Sequence, residues 1–62
     1  MYTLNLRYLN TVTGEERLEA WTYLRESTAR ADLALALAER ASNSRVLWSL
    51  SEREVVIDLG CT

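Results

Sequence analysis

Sixty-two residues make one domain, residues 1–62, and a chain this short buries only about 60% of its unfolded surface. One cysteine and no histidine exclude an intrachain disulfide and a Cys/His zinc cluster, and they remove the side chain that most often moves protons near neutral pH. A net charge of −2 argues against bulk attraction to nucleic acid, and 48% hydrophobic residues are too many for a disordered chain.

Residues 2–11 alternate, with Tyr2, Leu4, Leu6 and Tyr8 on one face and Thr3, Asn5, Arg7 and Leu9 on the other. That period predicts a strand. Thr11-Val12-Thr13-Gly14 predicts a type I turn, with Gly14 in the left-handed position of a three-residue loop at 12–14. Residues 17–25 alternate again, with Leu18, Ala20, Thr22 and Leu24 in phase. The three-residue loop would pair Tyr8 with Leu18, Leu6 with Ala20, Leu4 with Thr22 and Tyr2 with Leu24. Arg7 would then face Glu19, Asn5 would face Trp21, and Thr3 would face Tyr23. Thr13 and Glu16 also fit a helical capping box ahead of helix-forming residues, but the alternation favours the hairpin.

Residues 27–41 predict a helix, capped by Ser27 or Thr28, with Leu33, Ala34, Leu37, Ala38 and Ala41 on its apolar face. Leu35 lies near the boundary. Ser42-Asn43-Ser44 would end it, with Asn43 left-handed. Two more alternating runs follow, Val46, Trp48, Leu50 and Val55, Ile57, Leu59. A four-residue loop at 51–54 would pair Leu50 with Val55, Trp48 with Ile57 and Val46 with Leu59. The run Val55-Val56-Ile57, apolar on both sides, suggests a last strand that is central or covered on both faces. The expected fold is a small α+β ββαββ domain, with one helix on one face of a four-stranded antiparallel or mixed sheet. Strand order is not legible from this pattern.

No residue set points to catalysis, a metal or a cofactor. Glu15, Glu16, Glu52 and Glu54 fall in predicted turns, where carboxylates stay solvated. Cys61 has no histidine partner or helix N-terminus to activate it. Gly14 and Gly60 are the only glycines, too few for a phosphate-cradling loop.

The expected site is the outer sheet face. The derived registers place Trp21, Tyr23, Leu9, Leu47 and Val56 there with Arg7, Arg17 and Arg25, as a protein-binding patch. A non-enzymatic protein–protein interaction module is expected, homodimeric or covering another protein. The Ala-, Arg-, Leu- and Glu-rich, lysine-free composition hints at a bacterial or phage source, with an inhibitor of a host defence system such as CRISPR as one specific case. The alternative is a single-stranded nucleic-acid binder stacking bases on Trp21 and Tyr23. Residues 1–5 lack signal-peptide character and no run reaches membrane-spanning length. A cytoplasmic location without a membrane partner or small-molecule substrate is therefore expected.

Overall fold

A computed structural model describes residues 1–40 and 42–62. The alternating runs form β1 (Tyr2–Asn10), β2 (Glu16–Tyr23), β3 (Ser44–Glu52) and β4 (Val55–Cys61), and the alanine-rich segment forms α1 (Glu26–Glu39). The strands make one antiparallel sheet in the order β2-β1-β3-β4. This is the expected small α+β ββαββ fold. Because β2 and β3 both oppose β1, they run the same way. The β2-α1-β3 connection is therefore a crossover that passes over β1.

The helix covers one face only. Leu4 and Leu6 of β1, Val46 and Leu50 of β3, and Ala29 and Leu33 of α1 are buried. Tyr2, Tyr8, Tyr23, Ala36, Leu37 and Trp48 pack around them. The helical seam runs Ala29, Leu33, Ala36 and Leu37, the spacing of one face of a 3.6-residue period. Ala34 and Ala38, expected on that seam, are exposed. Ala41, also expected there, lies outside the described residues. Arg25 rather than Ser27 or Thr28 precedes the first turn, with no side-chain cap. Glu26 in that turn suits the positive end of the helix dipole. The helix ends in extended backbone at Arg40, and Asn43 is not left-handed. The Asn43 carbonyl instead accepts hydrogen bonds from the Thr11 amide and hydroxyl, each at 2.8 Å.

Both hairpins differ from the expected register, for identifiable reasons. In the first, the Asn10 amide donates to the Glu15 carbonyl at 2.9 Å, so the loop is 11–14. The Asn10 side-chain oxygen accepts from the Val12 and Thr13 amides, at 2.9 and 3.1 Å. These bonds satisfy two loop donors from the residue that closes the longer turn. Gly14 is left-handed, at φ 79°, but the loop is one residue longer than expected. Tyr8 therefore pairs with Arg17, Leu6 with Glu19, Leu4 with Trp21 and Tyr2 with Tyr23. A one-residue slip turns a strand over. Trp21 and Tyr23 thus face the helix side, and Leu18, Ala20 and Thr22 face away from it. Leu24 lies past the end of β2 and is exposed.

The second hairpin turns on Arg53 and Glu54, both at positive φ (49° and 70°). That is the signature of a two-residue type I′ turn. Leu50 pairs with Asp58 while Ser51 pairs with Val56, so Ile57 is the extra residue of a β-bulge. Beyond it, Trp48 pairs with Gly60, Ser49 with Leu59 and Leu47 with Cys61. Leu59 leaves the helix side, and β4 is an edge strand rather than a central one. Trp48 keeps its expected place against the core, its indole lying over Gly60.

Candidate interaction face

The two faces of the sheet hold different chemistry. On the helix side, β2 presents Arg17, Glu19, Trp21 and Tyr23. Tyr23 Oη donates to Asp32 Oδ2 at 2.7 Å, tying the end of β2 to α1. Burial, and then the hydrogen bond to the Asp32 carboxylate, push the Tyr23 phenol up to about 12. Trp21 stays half exposed and donates its indole N–H to Glu19 at 3.3 Å. The Arg17 guanidinium lies 4.6 Å from the centre of the Tyr8 ring and pairs with Glu19 at 3.2 Å. Arg30 bridges Glu26 at 2.7 Å and Asp58 at 3.0 Å, joining α1 to β4. The aromatic groups of this side thus have partners within the chain, and its cations Arg17 and Arg30 are matched by carboxylates.

The opposite face has no covering element among the described residues. The registers set it out in rows across β2, β1, β3 and, where it reaches, β4. Glu16, Leu9 and Arg45 form one row. Leu18, Arg7, Leu47 and Cys61 form the next. Ala20, Asn5, Ser49 and Leu59 follow, and Thr22, Thr3, Ser51 and Val56 complete the face. Leu18 is 72% exposed and Leu59 69%. A hollow of about 680 Å³ opens over the short side chains Asn5, Ala20 and Ser49, between Leu18, Leu47 and Leu59. Its chemistry is mostly apolar. The charges sit toward one end. Arg7 pairs with Glu16, which holds the Glu16 carboxyl below the usual carboxylate range. Arg45 reaches the Cys61 sulfur at 3.3 Å and the Thr62 carbonyl at 3.2 Å.

The expected interface residues therefore divide. Arg7, Leu9, Leu47 and Val56 share the open face. Trp21, Tyr23 and Arg17 lie on the helix side, and Arg25 stands at the start of α1. Arg7 meets Glu16 rather than Glu19. Leu18, Ala20 and Leu59 join the open face, where the expected registers had not placed them, and Ser49 stands there in phase with Leu47. The signal that identifies the first two is Asn10, which can close a four-residue loop with its own side chain. Among the described residues, no helix is long and apolar enough to cross a membrane. The chain matches no protein-family model, no curated protein and no solved structure.

Proposed function

We propose that this chain is a non-enzymatic protein–protein interaction module that works through the open face of its sheet. The observation that carries this reading is the exposure of Leu18, Val56 and Leu59 on the one sheet face that bears the apolar hollow. Monomers seldom leave a contiguous apolar surface of this kind uncovered. A sheet with one roofed face and one bare apolar face gains by pressing the second against another protein. The charged groups at one end then form a rim, and rims set orientation more than affinity.

Immobilised chain, challenged with lysate of its source cell or with free copies of itself, tests this reading. The wild type should retain a protein, and Leu18→Arg and Leu59→Arg should lose it. Leu35→Arg, on the helix side, should retain it. Equal retention by all three variants would remove the open face from the function. Single-stranded nucleic acid is the weaker reading, since Arg7, Arg17 and Arg30 are paired with carboxylates and Trp21 donates to Glu19. Salt-dependent quenching of tryptophan by an oligonucleotide would reverse that order.

A further inference from the structure

The open face is built of alternating long and short rows. Leu18, Arg7 and Leu47 form a long row. Ala20, Asn5 and Ser49 form the short row beside it and line the hollow. Resting on the reading above, we infer that the occupant of this face is a second copy of the same chain. The copy is stacked face to face, about a two-fold axis that runs across the strands between these two rows.

That axis carries the long row of each copy onto the short row of the other. Leu18 then sits over the second copy's Ala20, Leu47 over its Ser49, and Arg7 over its Asn5. Cys61 meets the second copy's Leu59. Each leucine knob enters the hollow left by a short side chain, and the same contacts recur by symmetry, as an isologous interface requires. A direct superposition of long row on long row would instead leave two hollows facing each other and bring Arg7 against Arg7.

Charge is compatible with the same seating. Glu16 falls over the second copy's Thr22 and Arg45 over its Ser51, so no charged side chain meets its like. The Asn5 amide offers its oxygen to the incoming guanidinium, which keeps its own Glu16 as partner. The area is sufficient as well. Four strands about 4.8 Å apart and eight residues long give a face of about 19 by 26 Å, so two stacked copies bury about 1,000 Å² in total, near the lower bound of specific interfaces. A protein with six buried hydrophobic residues among those described gains stability from a second apolar layer by mass action.

Sedimentation equilibrium over a wide concentration range tests the seating. The wild type should pass from dimer mass to monomer mass on dilution. Ala20→Leu and Ser49→Leu add apolar surface but fill the short row, so each should weaken the dimer at least about tenfold, while circular dichroism stays unchanged. A face that is merely sticky would gain from added leucine, so tightening by either variant overturns the two-row seating. Leu59→Arg, at an exposed position that burdens no core, should give a monomer. A dimer that survives Leu59→Arg uses another surface and overturns the inference. A wild type that stays monomeric throughout overturns it too. In that case, retention of a foreign protein by the wild type but not by Leu59→Arg would leave the open-face reading standing.

Discussion

Two sides of one sheet, built from the same four strands, carry opposite assignments. On the helix side the large side chains find partners within the chain. Leu4, Leu50 and Val46 are fully enclosed, Tyr23 is bonded to α1, and Trp48 lies on Gly60. On the open side leucines of the same size stand in solvent, separated by short polar residues. Burial free energy follows area removed from water, not residue type. The first side therefore determines whether the chain folds, and the second determines what it meets once folded.

Replacing one leucine from each side sharpens this contrast most. Leu50→Ala should cost about 3 kcal/mol, the usual loss for a fully buried leucine, and Leu59→Ala less than about 0.5 kcal/mol. Urea midpoints at high dilution, where a monomer prevails, measure both. Equal losses would erase the distinction between the faces. The next largest effect is expected at Gly60. A methyl there would stand 2.7 Å from the Trp48 ring, and the ring would have to lift off the sheet. Gly60→Ala should destabilise by about 1–3 kcal/mol, with a shift in tryptophan emission reporting the displaced indole. An unchanged spectrum would show that Trp48 is not seated on this glycine.

The turn between β3 and β4 should move stability the other way. Arg53 and Glu54 occupy left-handed backbone that their side chains disfavour, at a cost on the order of 1 kcal/mol each. Arg53→Asn combined with Glu54→Gly supplies residues that accept this geometry and should raise stability by about 1–2 kcal/mol. A loss on denaturation would mean that the turn is not type I′ in solution.

The smallest effect belongs to Tyr23. Its phenol is raised from 10.0 to about 12, so the folded state favours the protonated form. That contribution is fully present below pH 10 and fades as pH rises through about 12. Tyr23→Phe should cost about 1 kcal/mol at neutral pH. It should also flatten the decline of the wild type above pH 10, as followed by urea titration at several alkaline pH values. Identical alkaline profiles would mean that the Tyr23–Asp32 contact does not latch the helix.

Element types were legible because they rest on period alone. Leu4, Leu6, Val46 and Leu50 alternate within strands, and Leu33 and Leu37 repeat at helical spacing. Register was not, because it depends on loop chemistry. At the first turn, a three-residue loop closing on Gly14 and a four-residue loop closed by Asn10 both fit the residues. The apparent match of Arg7 with Glu19 favoured the wrong one, whereas the diagonal pair Arg7–Glu16 serves the other register equally well. At the second, Arg53-Glu54 carries none of the Asn-Gly character that marks a type I′ turn. The run Val55-Val56-Ile57 hides a bulge, since an apolar stretch has no phase to break. The candidate site followed from register. Half of its residues accordingly left the open face, Trp21, Tyr23 and Arg17 for the helix side and Arg25 for the start of α1, while the existence of a bare apolar face did not depend on which residues formed it.

The extra residue at Ile57 has one more consequence. An open sheet with a smooth border can recruit further strands side by side and lengthen into a ribbon. Here that border is bent just where the aliphatic run would offer a template, so sideways polymerisation is discouraged while stacking through the broad surface is left free. Removing this residue would straighten the margin, and fibrous deposits in place of discrete particles would be its expected signature.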